Sequence, residues 1–522
     1  MLGSAALLGG VFAVLAVWAA QLPKPGEGPF HLEQEIVRYA AAGTGVLFAV
    51  LLVVSLLPWG LDLAERQSFG SFVAVRHVRA TKSGFLTTIS ILSILGVALS
   101  SFALCGVISV MGGFGQDLTR KILGNNAHVI IRPPANDGIE DYEPLLNELR
   151  LAPGVAAATP VVAGDAMASS VANTAGALVR GVDPTSIGNV IDLPKNIKAG
   201  KLEYLVEPEK LASLPPDEII GFGSAGEPIR KGPGLTSLGN SNLDPLVRES
   251  LRKPSDAYPG IIIGRELAKT LRVYVGDEIT LVSPLGDLGP MGVMPRARKF
   301  RVAAIFYSEM YEYDATYVYV LHDVAQAFFS MEGKTSQLEV RVADAERVAE
   351  ARPAIESAVA ATGKDLVVRD WRELNKNLFS ALKLEKIATF VILSIAIVVA
   401  SFCIICTLLL MVTEKGREIA ILKALGASDG DIMRIFMAEG MTIGGIGTVL
   451  GVSAGIATAV GLDYFGVRLD PQVYYIERLP IAVSFPDYLA VAVAAMVICT
   501  LSTLYPAWAA SRLRPVEGLR YE

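Results

Sequence analysis

Charge is the scarce commodity in this 522-residue chain: 46 Lys and Arg and 52 Asp and Glu make 19% of it, against 52% hydrophobic residues and a mean hydropathy of +0.46. An average globular chain carries roughly 25% charged residues, so the deficit excludes an ordinary water-soluble protein. It is concentrated in six uncharged, mostly apolar runs: Leu2–Pro23, Tyr39–Leu61, Ser83–Gln116, Ile387–Thr413, Gly440–Leu462 and Tyr488–Ser511. Each is longer than the ~20 residues a helix needs to cross the hydrocarbon layer.

Cysteine and histidine are scarce too, with four of each. Cys105, Cys403, Cys406 and Cys499 all fall inside the apolar runs, which excludes a disulfide framework. Cys403 and Cys406 share a helical face, but no His or carboxylate lies within that span to complete a metal site. His31, His77, His128 and His322 are scattered without zinc-ligand spacing. A formal net charge of −6 with no basic block argues against nucleic acid as a partner.

Catalytic motifs also fail on inspection. Gly333-Lys334-Thr335 resembles the end of a phosphate-binding loop, but Phe328 stands where that loop needs glycine. Ser224 lies between Gly223 and Gly226, yet a nucleophile elbow needs glycine at Phe222. The chain is therefore expected to be no enzyme, to bind no metal and no cofactor of its own, and to carry no ATPase. None of the six cores contains Asp, Glu, Lys, Arg or His, whereas an ion-driven transporter needs such groups as a relay, so the energy is expected from elsewhere.

Three runs precede the long polar stretch Asp117–Lys386 and three follow it, which places both termini on one side and the polar domain on the other. Short loops on the terminal side hold Arg66, Arg76, Arg79, Lys82, Lys415, Arg417, Lys423, Arg434, Arg512, Arg514 and Arg520. The opposite short loops hold only Lys24, Arg38, Arg468 and Arg478, so the termini are assigned to the cytoplasm. Leu2–Ala20 also reads as a signal-peptide core ending near Val17-Trp18-Ala19-Ala20, but it has no basic n-region, and a retained helix is the reading taken.

The polar domain reads as mixed α and β. Strands are expected at His128–Arg132, Ala177–Val182, Ile261–Gly264, Glu278–Ser283, Phe300–Phe306, Thr316–Leu321, Gln337–Val342 and Asp365–Arg369. Helices are expected at Asp141–Arg150, Arg265–Arg272, Asp323–Ser330 and Asp344–Ala361. Asn196–Tyr258, with Pro215-Pro216, Gly232-Pro233-Gly234 and Gly239-Asn240-Ser241-Asn242, reads as an irregular excursion.

Three features stand out. In Glu414–Gly426 an apolar stripe of Ile419 and Leu422, extended by Ile421 and Leu425, lies beside charges of both signs; Gly426 ends the helix and Ser428 or Asp429 caps the next. Such a segment either lies on lipid or docks into a soluble motor. Between strands Glu278–Ser283 and Phe300–Phe306, a loop of more than ten residues offers Leu285, Leu288, Met291, Val293 and Met294, stiffened by Pro284, Pro290 and Pro295. It reads either as a docking element or as a loop folded back on its own domain. Gly440, Gly444, Gly447, Gly451 and Gly455 recur at three- or four-residue spacing, which permits close helix packing within the bundle or across a dimer.

Phe72-Val73-Ala74-Val75-Arg76-His77-Val78-Arg79-Ala80, Ser109-Val110-Met111-Gly112-Gly113-Phe114, Ile122-Leu123-Gly124 and His128-Val129 together resemble the lipoprotein-releasing (Lol) ABC transporter permeases of the LolC/LolE family, relatives of the MacB and FtsX permeases. The resemblance continues through Gly181-Val182-Asp183-Pro184, Glu414–Gly426, Leu501-Ser502-Thr503-Leu504-Tyr505-Pro506-Ala507-Trp508 and Leu519-Arg520-Tyr521-Glu522, and covers roughly residues 70–522. It implies a MacB-like type VII ABC permease: a membrane α-helical bundle of four family helices, here with two extra N-terminal ones, and a large periplasmic α+β domain. The implied division is 1–69 extra region, 70–116 amphipathic segment and first family helix, and 117–385 periplasmic domain with a hook near 284–298. It continues with 386–413 second family helix, 414–439 coupling loop, 440–462 third helix, 463–487 periplasmic loop, 488–511 fourth helix and 512–522 tail.

The resemblance also implies partners and roles. A cytoplasmic LolD-like ATPase would carry ATP and Mg and dock on Glu414, Lys415, Glu418, Ile419, Leu422 and Lys423. A LolA-like periplasmic carrier would take the hook residues Leu288, Pro290, Met291, Gly292, Val293, Met294, Pro295 and Arg296. Lipoprotein acyl chains would enter a cavity at Val110, Met111, Phe114, Phe390 and Ile397, in the bacterial inner membrane and among its lipids. Val473-Tyr474-Tyr475-Ile476-Glu477-Arg478-Leu479-Pro480 looks more LolE-like while the hook looks LolC-like, so the second protomer would make either a homodimer or a heterodimer. Two other readings stay open: a signalling permease that activates a cell-wall hydrolase, and an efflux permease for peptides or antibiotics.

Overall fold

Uncharged runs become helices because a backbone in hydrocarbon can bond only to itself. The computed structural model describes residues 2–22, 32–66, 72, 75–76, 84–135, 137–223, 227–231, 258–289, 292–466, 469, 475–476 and 478–513. Among the described residues, five helices are long and apolar enough to cross a membrane, within α2 (Leu32–Glu65), α3 (Gly84–Asn125), α4 (Lys376–Glu414), α6 (Asp429–Phe465) and α7 (Phe485–Ser511). The sequence suggests six. The first run does form a helix, α1 (Leu2–Gln21), but its described apolar part, Leu7–Gln21, is shorter than a span. Most of the amphipathic segment expected just before α3 lies outside the described residues, as do 514–522 of the tail.

The chain forms two compact units, one made of 1–117, 380–469 and 477–522, the other of 118–379 and 470–476. In the first, α6 is the central helix, and its glycines meet three neighbours in turn. A Cβ at Gly440 or Gly444 would strike Thr503 or Cys499 of α7; one at Gly447, Gly451 or Gly455 would strike Val97, the Ala98 carbonyl or Cys105 of α3. The ladder is thus filled within the bundle, as the spacing allows. Ser93 and Thr407 hydroxyls bond across α3 and α4 at 2.8 Å. The extra helices α1 and α2 interlock reciprocally, Phe48 over Gly9 and Phe12 over Gly45, and Ala42 of α2 reaches Gly461 of α6.

In the second unit ten strands make one mixed sheet: β1 (Val129–Arg132), β2 (Val155–Ser169), β3 (Thr174–Val182), β4 (Ile197–Gly200), β5 (Gly260–Gly264), β6 (Glu278–Gly289), β7 (Gly292–Phe306), β8 (Tyr317–Leu321), β9 (Gln337–Val342) and β10 (Val367–Asp370). The order is β10-β1-β9-β2-β3-β8-β5-β7-β4, and β6 pairs with both β7 and β2. The pairings β2-β3-β8-β5-β7-β6-β2 therefore close into a ring. Its interior core includes Val161, Val179, Ile262, Leu281, Phe300 and Val320; a second core under β1 and β9 includes Leu145, Leu149, Val340, Ile355 and Trp371.

Two expectations are corrected here. Asn196–Tyr258 is not irregular throughout: it opens with β4, a helical turn Glu203–Val206, and the small hairpin Ile219–Phe222 with Pro228–Arg230. The rest, from residue 232 to 257, lies outside the described residues. The predicted long loop after Ser283 is instead ladder, as described next.

Candidate functional site

The carrier hook predicted from the sequence is a two-stranded ribbon. Strands β6 and β7 stay paired out to Val293↔Leu288 and Gly292↔Gly289, whereas β6 pairs with β2 only over Thr280–Val282. Past Ser283 and Arg296, the two strands have no partner but each other among the described pairings. The register shifts between Met294 and Arg296, at Pro295, a residue with no N–H to give to a ladder. Pro290 and Met291 lie outside the described residues, as do the side chains of Leu288, Val293 and Met294; Gly292 opens β7 and Pro295 is exposed. Arg296 is turned to the base: its Nη1 donates to the Ala327 and Phe328 carbonyls and to Ser330 Oγ, at the C-terminal end of helix His322–Phe329. A cation on orphan helix carbonyls is favourable both as hydrogen bond and against the helix dipole.

The coupling segment forms α5 (Gly416–Ala424) and ends at Gly426, whose φ of +106° suits glycine alone. Ser428 then caps α6 in a capping box with Asp431. Ile419 is 3% exposed, packed with Leu408, Val412, Ile432 and Phe436 of the same bundle, so it supports α5 from beneath. Leu422 is half-buried beside it. The apolar side chains that reach outward are Ile421 and Leu425, 44% and 81% exposed, with Glu414 and Glu418 exposed alongside. Lys415 pairs with Glu418 at 2.8 Å. Lys423 is already engaged: its Nζ donates to the Ser511 and Leu513 carbonyls at the end of α7 and pairs with Asp429.

The five cavity residues do not form one lining. Ile397 is fully buried and Phe390 half-buried in a core with Leu104, Ile108, Tyr488 and Val491, where α3, α4 and α7 meet. Val110 and Met111 are half-buried, and Phe114 is 44% exposed. What flanks the α3–α4 seam outside is a broad apolar face: Leu92, Leu95 and Leu99 on α3, and Val391, Ile395 and Val399 on α4, are all exposed.

Gly181-Val182-Asp183-Pro184 sits in the outer domain and builds a turn. Asp183 Oδ1 accepts from Thr185 N at 3.0 Å and Asp183 Oδ2 from Ser186 Oγ at 2.7 Å; a Cβ on Gly181 would strike Ala325. A cleft of about 540 Å³ opens there between Tyr142, Arg150, Asp183 and His322. Burial pushes the His322 imidazole below its ordinary range. The least expected group is Asp314, fully buried near β8. Burial pushes its carboxyl up to about 6, although Tyr475 Oη and Ser308 N donate to it. Nothing in the sequence marks it, because its partner Tyr475 lies 161 residues away.

Residues 390–515 match the FtsX-like permease C-terminal family and residues 90–203 the MacB-like periplasmic core domain. The chain is 30% identical to the lipoprotein-releasing system transmembrane protein LolC of Neisseria meningitidis over 87% of its own length and 100% of that protein. It is 25% identical to the corresponding LolE of Haemophilus influenzae, over 86% of this chain and 98% of that one. The extracellular domain of the noncanonical ABC-type transporter YknZ from Gram-positive bacteria is matched over its whole length by 47% of this chain, at 12% identity and a TM-score of 0.26.

Proposed function

The chain belongs to the LolC/LolE family of lipoprotein-releasing system transmembrane proteins, and from that premise we propose that it is the permease subunit through which an ATP-driven complex draws acylated lipoproteins out of the bacterial inner membrane and hands them to a periplasmic carrier. The observation that carries this reading is the extent of the likeness, which takes in all of the Neisseria protein, membrane and outer segments alike. The family is that of a non-catalytic membrane subunit. ATP and Mg belong to a LolD-like partner, for which Ile421, Leu425 and Glu418 on α5 offer an exposed mixed surface.

Two features of the molecule support the mechanism. An acyl chain leaving the bilayer needs an apolar path entered sideways, and the exposed faces on either side of the α3–α4 seam supply one without any intramembrane charge. A soluble carrier needs a preformed element to grip. The β6–β7 ribbon is pre-ordered by its ladder and held at the base by Arg296, which lowers the entropy lost on docking. A second protomer, of the same kind or of the LolC/LolE pair, would complete the lateral cavity to which Val110, Met111 and Phe114 contribute.

The test is in-cell photo-crosslinking from position 291 with the adduct identified by mass spectrometry. A small soluble lipoprotein carrier is expected, and Pro295→Asp in the same crosslinking chain should abolish that adduct while ATPase assembly persists. A peptidoglycan hydrolase would favour the signalling permease instead, and an outer-membrane channel adaptor the efflux permease.

A further inference from the structure

A second cleft, of about 470 Å³, lies wholly within the outer unit, and no ribbon residue lines it. Its volume falls in the ~300–1,000 Å³ range of small-ligand sites. One wall is the helix Arg265–Leu271 that follows β5; the other is Phe222 and Gly223, at the end of the first strand of the small hairpin. The hairpin is held in place by its backbone. The Ile220 carbonyl accepts from Val275 N at 2.8 Å, and a Cβ on Gly221 would stand 2.5 Å from the Tyr274 ring. Helical spacing sets Arg265, Lys269 and Arg272 on one face, with Ala268 between them too short to fill the space, and all four line the cleft.

The three cations are not equivalent. Lys269 is paired with Glu266 at 2.7 Å. Arg265 is half-buried, its guanidinium 5.2 Å from the Phe222 ring centroid and 5.0 Å from that of Tyr307. Such cation–π contact uses the face of the group and leaves its N–H edge for an acceptor; the Nε is buried without a hydrogen-bond partner. Arg272 ends the helix at φ +54°, where glycine is favoured, and its side chain is exposed. Among the described residues neither guanidinium has an ion-pair partner. The opposing charge at the rim is Glu227, whose carboxylate lies over Gly223. The rest of the lining, Ala268, Val273 and Ile305 with the Phe222 and Tyr274 rings, is largely apolar. A partly buried cation without a carboxylate loses hydration that an arriving anion restores.

We propose that this cleft binds a phosphate ester, its oxygens on Arg265 and Arg272 and its organic body against Val273, Ile305 and Tyr274. Two guanidinium forks offer more donors than the two oxygens of one carboxylate match, whereas a phosphate accepts bidentately from both. Lys269 adds a point charge of no fixed direction. A lipid headgroup and a soluble phosphate ester share this chemistry. The site belongs to the outer unit alone and does not depend on the lipoprotein role proposed above.

Isothermal titration calorimetry on the purified full chain in maltoside detergent, with hydrogen–deuterium exchange to locate the ligand, tests it. The probes are glycerol phosphate, dihexanoyl phosphatidylglycerol and, as carboxylate control, hexanoate. Saturable binding of a phosphate probe with slowed exchange across 265–275 is expected, and hexanoate should bind at least about tenfold more weakly. Arg272→Gln alters an exposed side chain, so it should weaken binding about tenfold and leave thermal denaturation unchanged, as loss of a charged hydrogen bond implies. Arg265→Lys keeps the charge without the fork and should weaken binding by a similar factor, whereas Glu227→Gln should tighten it about two- to threefold. Preference for the phosphatidylglycerol probe would assign the site to a lipid headgroup, and equal or stronger binding of glycerol phosphate to a soluble ester. The proposal is overturned by exchange at 265–275 that neither phosphate probe slows, by affinity unchanged in both arginine variants, or by hexanoate that binds as tightly as phosphate.

Discussion

Asp314 is a carboxyl that the fold would rather keep protonated. Burial raises its pKa from the ordinary 3.8 to about 6, the donors Tyr475 and Ser308 pull it back down, and Glu266 nearby adds a smaller upward push. Because the folded-state pKa lies above the unfolded one, the stability this group contributes is fully present below about pH 4 and is lost as pH climbs through about 6, a swing of roughly 3 kcal/mol at most. Asp314→Asn should therefore flatten the pH dependence of outer-domain unfolding between about pH 4 and pH 7, read by thermal denaturation of the purified chain. An unchanged slope would mean the carboxyl does not titrate there. The Gly181-Val182-Asp183-Pro184 motif makes the opposite point about legibility. It stands out in sequence and helped to identify the family, yet its contacts show it shaping a turn under helix His322–Phe329.

Elements were legible where their pattern was local. The membrane helices follow from charge spacing alone, and β1, β3, β5, β8 and β9 follow from short β-branched runs. The fifteen-residue strand β2, central to the ring, was missed because it is rich in alanine and interrupted by Pro160. Its pairing explains the tolerance: β3 ends opposite Val161, so Pro160 stands just beyond that ladder. The ribbon was misread as a loop for a similar reason, since Pro284 and Pro295 suggest a break whereas the register simply shifts past them. Its stiffness depends on Arg296, and Arg296→Ala should weaken carrier capture about three- to tenfold in a pull-down, with ATPase assembly unaffected, as the loss of one charged donor implies. The glycine ladder of α6 gives a sharper contrast. Gly451→Ala would push a Cβ to 2.4 Å from the Ala98 carbonyl and should cost about 1–3 kcal/mol in detergent unfolding, whereas Gly445→Ala, with no atom nearer than 4.0 Å, should be neutral or slightly stabilising.

For the whole molecule, if a partner ATPase drives this chain as proposed, its action must enter the bundle through α5. Ile419 and Leu422 of the apolar stripe, and Lys423 among the docking residues that the resemblance implies, turn elsewhere, because helical spacing shows which residues share a face, not which way that face turns. The bundle claims those three: Ile419 lies in its core, Leu422 beside it, and Lys423 ties α5 to the end of α7. This divides the segment into an inner set that joins α5 to α4, α6 and α7 and an outer set, Ile421, Leu425 and Glu418, left for a partner. The two sets should fail differently. Ile421→Asp with Leu425→Asp should leave detergent stability unchanged while ATPase stimulation by lipoprotein falls at least tenfold, since exposed apolar anchors contribute to binding and not to the fold. Lys423→Met leaves the terminal carbonyls of α7 and the Asp429 carboxylate without their cation, so it should lower stability by about 1–3 kcal/mol and still allow the motor to bind. Equal loss of motor binding in both variants would show that α5 docks through the face turned toward the bundle, and that it must rotate out of its present seat to do so.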